Sequence, residues 1–387
     1  MKQRSARIGE VLVASLRADA WCHGSPELRQ LATGHPLPGL ADAAAFHGIA
    51  GYVHHALRHV SGVPPRVVVD LEDAYRVGLA GHLGALGGLR TVAAVLDAAA
   101  VPWLVIKGPV LATAVHPRPD LRGYGDLDVV VPARTFQRAL ESLEAAGGTV
   151  AAPNWALRRR ITAGEVPVTL PDGGVVDLHW HVLNHARLRE PFRIPMRDLF
   201  DRAEPVTVDG RPVLTLEPTD TLLYLALHAS MAGGNRLVWL KDLERSLAQR
   251  PPDPEALVRR ADAWHVALPV ATTLAKARAV LRADVPETML RALAPGRVWE
   301  RIAELAWRAS PPARARPGRS VDRIVSRAAR RDAPSSLLEL ARRVLFVATG
   351  PLRTGRGGAS SPSRHVDEPE RAAFLDTVVS GPDAYSL

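Results

Sequence analysis

The sequence predicts an α/β fold, because short apolar segments with strand character alternate with helical segments in the middle of the chain. Three such segments carry the prediction, at residues 101–106, 126–131 and 175–180. The third follows the sequence Pro-Asp-Gly-Gly at 171–174, which is a strong hairpin signal. Apolar positions at helical spacing before and after this region predict helical additions at both ends.

The second segment carries two carboxylates one residue apart, Asp126 and Asp128. On a strand, residues i and i+2 point to the same face, so the two side chains are expected to project together. Anions this close repel each other unless a cation neutralises them, and paired carboxylates suit Mg²⁺ or Mn²⁺. Asp177 lies in the third segment and completes an acid trio if the two strands are neighbours. A helix cap or surface turn is the alternative, which the apolar residues after Asp128 disfavour.

The first segment leads into Lys107-Gly108-Pro109 and a helical stretch. Pro109 suits the first position of a helix, and Gly108 lets backbone amides approach a ligand closely. A strand, a glycine turn and a helix N-terminus together predict an anion-binding site.

These features together resemble the nucleotidyltransferase superfamily, which has the polymerase-beta-like fold, and in particular a poorly characterised bacterial branch of it. The similarity rests on Lys107-Gly108, Arg122, Asp126-x-Asp128 and Asp177-Leu178-His179-Trp180. It covers residues 83–181 well and 219–247 more loosely. In one departure, Gly108 is followed by proline, where better-known relatives have glycine or serine.

The resemblance implies a mixed sheet with flanking helices and a metal-dependent transfer of a nucleoside monophosphate from a nucleoside triphosphate (NTP), with pyrophosphate released. It implies two Mg²⁺ or Mn²⁺ ions held by the catalytic residues Asp126, Asp128 and Asp177. It assigns nucleotide binding to Lys107, Gly108 and Arg122. On the acceptor side we expect Tyr124, His179, Trp180, His228 and Asp242.

The acceptor is a hydroxyl or, less favoured, an amine, on a small molecule, sugar, peptide, protein or RNA end. A specialised metabolite or peptide is the favoured acceptor in this group, and RNA is disfavoured.

The same carboxylates also suit phosphoryl transfer at a different phosphorus, which is an alternative reaction. Two further alternatives are a non-catalytic nucleotide-binding scaffold and an arginine-rich nucleic-acid-binding protein. A zinc site at His179, His181 and His185 is disfavoured, since no cysteine accompanies them.

The amino-acid composition excludes some kinds of site and structure. Cys22 is the only cysteine, which excludes an internal disulfide and a thiolate-rich metal site. No uninterrupted apolar run approaches the about 18 residues of a membrane helix, so we expect no membrane span and a cytoplasmic location.

The net charge of +9 comes almost entirely from arginine. Many of these arginines lie late in the chain, at Arg314, Arg316, Arg319, Arg323, Arg327, Arg330 and Arg331. A nucleic acid or an anionic surface would fit them, but the absence of aromatic residues there favours a solvated, arginine-biased surface.

The predicted domain organisation has five parts. An N-terminal helical region spans 1–82, the catalytic core 83–216 and a helical domain 217–310. A basic linker and helix follow at 311–350. A largely disordered tail is expected at 351–387, where glycine, serine and arginine are frequent.

Overall fold

The computed structural model describes residues 2–17, 20–151, 153–293, 297–310, 320–349 and 367–380. The chain forms two compact units, each assembled from separate stretches. The helical unit comprises Met1–His82, Leu111–Tyr124 and Pro218–Arg343, and the sheet unit comprises Leu83–Val110, Gly125–Glu217 and Val344–Leu387. The described helices within 2–57 and 218–328, predicted as separate regions, therefore belong to one unit.

The α-helices of the described residues are numbered α1 to α20 in chain order. They are Lys2–Leu16, Ala20–His23, Pro26–Ala32, Leu40–Phe46, Ala50–Leu57, Pro65–Ala98, Pro109–Ala114, Ala133–Ala145, Trp155–Ile161, Ala186–Arg189, Met196–Asp201, Pro218–Ala232, Leu237–Gln249, Pro254–Ala263, Ala267–Leu281, Glu287–Leu293, Arg297–Arg308, Val321–Ala328, Ala333–Thr349 and Glu368–Ser380. A 3₁₀-helix spans Pro119–Leu121.

The strands are β1 (Leu104–Val105), β2 (Asp126–Val130), β3 (Thr149–Val150), β4 (Glu165–Thr169), β5 (Val175–His179), β6 (Glu204–Val208) and β7 (Arg211–Thr215). Five of them form a mixed sheet in the order β1-β2-β5-β4-β3. Strands β2 and β5 are parallel, and the other neighbours are antiparallel. The predicted α/β class with a mixed sheet is confirmed.

One face of this sheet forms the core of the sheet unit. Alternate residues of β2, β4 and β5 lie in this core, together with apolar residues of α6 and α8. The turn between β4 and β5 places Gly173 at φ +84°, a left-handed conformation that favours glycine. The hairpin predicted at 171–174 is therefore present, and it fixes how β4 and β5 pair.

Helix α6 is longer than the sequence predicts. A helix is expected to begin near residue 83, whereas α6 runs from Pro65 to Ala98 and crosses the predicted boundary at 82. No proline follows Pro65 within it, and its several glycines weaken a helix without ending it. By length and composition α6 is apolar enough to span a membrane, which is weak evidence because core helices pass the same test. Leu89, Val92 and Leu96 of α6 are buried in the core of the sheet unit.

The predicted disordered tail contains a helix, α20, which corrects the sequence interpretation at 368–380. The ring of Phe374 lies 5.6 Å from Trp155 and 6.4 Å from Phe136, centroid to centroid, and is fully buried. Arg371 pairs with Glu144 of α8 at 2.5 Å. Aromatic burial thus stabilises a helix whose flanking sequence suggested disorder. The residues at 351–366 and 381–387 lie outside the described part of the chain.

The helical unit is built around α12, α13 and α15, which pack against one another. Helix α18 packs on α12 and α17, with Trp299 of α17 and Val325 of α18 in a common apolar cluster. The first part of the predicted basic linker and helix, 311–319 with Arg314, Arg316 and Arg319, lies outside the described residues.

Candidate functional site

The predicted acids lie on the sheet face opposite the core. In β2, the residues following each carboxylate belong to the core, so Asp126 and Asp128 point to the other face. In β5, the residues on both sides of Asp177 belong to the core, so Asp177 and His179 share the face of the β2 acids. The fixed alternation of a strand therefore brings four polar side chains onto one surface.

The parallel register of β2 and β5 brings the acids together across the sheet. Asp128 is directly paired with Asp177, and Val130 with His179. Ligand atoms of Asp128, Asp177 and His179 all lie within 4.8 Å of one another. Neighbouring strands are about 4.8 Å apart, which accounts for this spacing. Asp126, at the exposed start of β2, is outside this group.

The side chains of Lys107 and His179 both contact the same oxygen of Asp128. Lys107 Nζ lies 2.8 Å from Asp128 Oδ1, and His179 Nε2 lies 3.2 Å from the same atom. Lys107 reaches this position from the turn after β1, where Gly108 has φ +58° and the chain enters α7. The side chains of Asp128 and His179 are buried, so the contacts form with little competition from water.

These contacts decide the charge of Asp128. Burial by itself raises the pKa of this carboxyl, but the charge of Lys107 and the hydrogen bond from His179 outweigh burial and hold the pKa well below its usual range. For His179, burial lowers the pKa, whereas the hydrogen bond to Asp128 and the charge of Glu165 raise it above its usual value. Asp128 is therefore a carboxylate that pairs with Lys107 and is hydrogen-bonded to His179.

Asp177 is in the opposite situation. Burial, followed by the negative charge of Glu165, raises its pKa to about 6, and the charges of Asp128 and Asp126 add to the effect. The nearby His179 opposes this shift without cancelling it. The surface around Asp177 thus has an excess of negative charge, which a bound cation would relieve.

Sequence reasoning missed a fourth acid, Glu165. It is the first residue of β4 and is paired with His179 of β5. Its Oε2 lies 3.4 Å from His179 Nδ1, and its Oε1 accepts a hydrogen bond from Asn184 Nδ2 at 2.5 Å. The hairpin turn at 171–174 contained the signal, since counting back across the turn sets residue 165 against residue 179.

Arg122 and Asp242, predicted as nucleotide and acceptor residues, form a buried ion pair in the helical unit. Arg122 Nε lies 2.8 Å from Asp242 Oδ1, and Nη2 lies 2.9 Å from Oδ2. His116 Nε2 adds a contact of 2.9 Å to Asp242 Oδ1, and His116 Nδ1 lies 2.8 Å from the Tyr52 hydroxyl. Burial raises the pKa of Asp242, but the charge of Arg122 and the hydrogen bond from His116 hold it well below the usual range.

The remaining predicted residues have different surroundings. The Tyr124 hydroxyl lies 2.5 Å from His82 Nδ1, and the Arg122 guanidinium lies 5.3 Å from the Tyr124 ring centroid. The ring of His228 lies 5.6 Å from that of Trp239, perpendicular to it. Contacts of Tyr124, His228, Arg122 and Asp242 with nucleotide or acceptor stay predictions.

Trp180 faces the core. Its indole is buried in the core of the sheet unit, and its Nε1 donates to the carbonyl oxygen of Ala163 at 2.7 Å. Trp180 directly follows β5, and its burial in this core places it on the side opposite His179. The structure therefore gives Trp180 a packing role instead of the predicted place on the acceptor side.

The donor set fits a hard divalent cation. Asp128 and Asp177 supply carboxylate oxygens, and His179 supplies a ring nitrogen at the same place. Such oxygen-rich sites suit Mg²⁺ and Mn²⁺. Among the described residues, His181 and His185 are not part of this group. His181 Nδ1 instead accepts a hydrogen bond from the backbone of Leu183 at 3.0 Å.

A comparison with protein families finds a match over much of the chain. The model of a family described as "Uncharacterised nucleotidyltransferase" matches residues 37–282, which is more than half of the chain. No curated protein matches the chain.

Proposed function

Because the chain belongs to this family of uncharacterised nucleotidyltransferases, we propose that it transfers a nucleoside monophosphate from an NTP to a hydroxyl or amine acceptor, with release of pyrophosphate. The proposal includes two Mg²⁺ or Mn²⁺ ions, held by Asp126, Asp128 and Asp177. Such ions, when bound, supply charge neutralisation for the attacking and leaving oxygens.

One observation carries the proposal: the paired positions of Asp128 and Asp177 on neighbouring strands, with Lys107 at the edge of the pair. A purely structural role would be expected to neutralise both carboxylates within the protein. Among the described residues, Lys107 and His179 contact Asp128, whereas burial and then the negative charge of Glu165 raise the pKa of Asp177. This surface is suited to receive cations together with a polyphosphate.

The protein's own groups have distinct tasks in this proposal. The acceptor oxygen forms a bond to the α-phosphorus, and the bond from that phosphorus to the β-phosphate oxygen breaks. Asp177, which lies on the polar face of the sheet, takes the acceptor's proton. Lys107 offsets negative charge on the triphosphate from its turn after β1. Positioning and electrostatics then supply most of the rate.

The acceptor is proposed to be a small molecule or peptide, and the location cytoplasmic. The arginine-rich alternative receives little support from the described residues. Arg330 and Arg343 both pair with Glu339, and Arg331 pairs with Asp332. Arg327 donates to the backbone oxygen of Met231. These side chains have partners within the protein, as a structural surface requires.

A transfer assay with Asp128→Asn tests the proposal. Wild type and variant are incubated with Mg²⁺ or Mn²⁺, each ribonucleoside triphosphate and a pooled cell extract, and mass spectrometry detects what gains a nucleoside monophosphate. We expect Asp128→Asn to lower the rate on the order of a thousandfold, since it removes preorganised charge. Asp201→Asn, an exposed acid on α11, is the matched control and should keep full activity. Wild-type rates in a folded Asp128→Asn protein would contradict the proposal.

A further inference from the structure

Glu165 is an acid beside the site for which the reaction proposed above has no use. In β4, Val166 and Val168 belong to the core, so Glu165 lies on the polar face of the sheet. The antiparallel register with β5 sets it against His179. The position of Glu165 is therefore fixed by the sheet itself.

The Glu165 carboxylate is held from the side away from His179. Asn184 Nδ2 donates to Glu165 Oε1 at 2.5 Å. Asn184 is itself anchored, because the backbone N–H of Gly164 lies 2.8 Å from its backbone oxygen and 3.2 Å from its Oδ1. A Cβ at position 164 would lie 2.5 Å from the backbone oxygen of Leu183. Only glycine lets the chain approach this closely, so the backbone is tightly packed behind Glu165.

The other oxygen of Glu165 faces His179. Glu165 Oε2 lies 3.4 Å from Nδ1, while the opposite nitrogen, Nε2, is hydrogen-bonded to Asp128 Oδ1 at 3.2 Å. The imidazole is buried and lies between two carboxylates. A series of contacts thus runs from Asn184 through Glu165 and His179 to Asp128.

We propose that Glu165 is a positioning residue, which orients the imidazole of His179 and through it the carboxylate of Asp128. Carboxylates that fix a histidine beside a metal site commonly matter for metal affinity almost as much as the ligands do. The consequence for metal and transfer rests on the proposed function, whereas the orientation of the ring does not.

The first test reads the His179 ring directly. Wild type, Glu165→Gln and Glu141→Gln are labelled with ¹⁵N-histidine, and the ring signals are recorded by NMR at one pH without metal or nucleotide. Signals absent from a His179→Gln variant identify His179. We expect these signals to shift in Glu165→Gln, because an amide N–H replaces a carboxylate oxygen near the ring. Glu141, an exposed acid on α8, is the matched control and should leave them unchanged. Unchanged His179 signals in Glu165→Gln would overturn the proposal.

The second test measures Mn²⁺ affinity by electron paramagnetic resonance in a double-mutant cycle. Glu165→Gln should weaken Mn²⁺ binding about 10–100-fold, the usual range for such supporting residues. In a His179→Gln background the same substitution should cost nothing more, since Glu165 acts through the ring. An equal loss in both backgrounds would show that Glu165 acts independently of His179 and would overturn the proposal. If wild type binds no Mn²⁺, the proposed function fails, while the NMR result still decides the role of Glu165.

Discussion

The helical unit and the sheet unit each bury a cluster of charged groups, and the two clusters differ in their balance of positive and negative charge. In the helical unit, Asp242 accepts two contacts from Arg122 and one from His116. In the sheet unit, Asp128 pairs with Lys107 and is hydrogen-bonded to His179, but Asp177 lies near Glu165 and other carboxylates. The first cluster satisfies its own charges, whereas the second leaves negative charge in excess.

This difference in charge balance distinguishes a structural ion pair from a candidate cation-binding site. Buried charges must be paired, and a protein that only needs stability pairs them internally. The pKa of Asp242 is held far below its usual value, and that of Asp177 is raised to about 6. The two acids therefore contribute to stability with opposite signs at neutral pH, although both lie in the interior of their units or close to it.

The severest test of this contrast is Asp242→Asn. The variant leaves the buried Arg122 guanidinium without its counter-charge, and we expect the free energy of unfolding to fall by about 3–5 kcal/mol. Urea unfolding at pH 7 measures the change. Asp262→Asn, an exposed acid in the same unit, should stay close to wild type. A loss below about 1 kcal/mol for Asp242→Asn would remove the distinction between the clusters.

The second largest effect is expected from added Mn²⁺, which should stabilise the protein through the cluster of the sheet unit. A cation that binds the excess charge of the sheet unit stabilises the native state, by about 2.7 kcal/mol at a hundredfold excess over its dissociation constant. We expect thermal unfolding of wild type to shift upward with Mn²⁺, and that of Asp128→Asn and Asp177→Asn to shift far less. Equal shifts in all three proteins would place the cation elsewhere.

The smallest effect is expected for Asp177→Asn without divalent ions. The pKa of Asp177 rises from about 3.8 to about 6 on folding, so the native state binds the proton more tightly. Its contribution is therefore fully present below pH 4 and is lost as the pH rises through 6. At pH 7 in chelator, Asp177→Asn should be more stable than wild type by about 1 kcal/mol, a value reduced for partial solvent exposure. A variant less stable than wild type at pH 7, with no convergence toward pH 4, would contradict the assigned charge imbalance.

The acid trio was predictable because it depends on local rules. The alternation of a strand places Asp126 and Asp128 on one face, and the apolar neighbours of Asp177 mark it as a strand residue. Glu165 was missed because its strand is short and contains Pro167, which weakens the strand pattern. The partner of Arg122 could not be predicted, since 120 residues separate it from Asp242 and no local pattern links them.

In the fold as well, the elements set by local sequence patterns were predictable, whereas those that depend on contacts between distant residues were not. The hairpin at 171–174 and the β2 and β5 strands follow from turn residues and apolar runs, and the structure contains them. Helix α20 depends on the burial of Phe374 beside Trp155, a contact across more than 200 residues. The continuity of α6 was obscured because its glycines suggest an interruption that the folded chain tolerates.

The ion pair of Arg122 with Asp242 also sets an order of events during synthesis. Arg122 leaves the ribosome 120 residues before its partner, a delay of roughly 6–24 s at about 5–20 residues per second. Throughout that interval Arg122, in the stretch 111–124 that leads directly into β2, lacks the Asp242 carboxylate with which it pairs in the folded chain. A nascent chain that stops before residue 242 carries all four acids of the sheet face, but it lacks the residue that secures the segment preceding them.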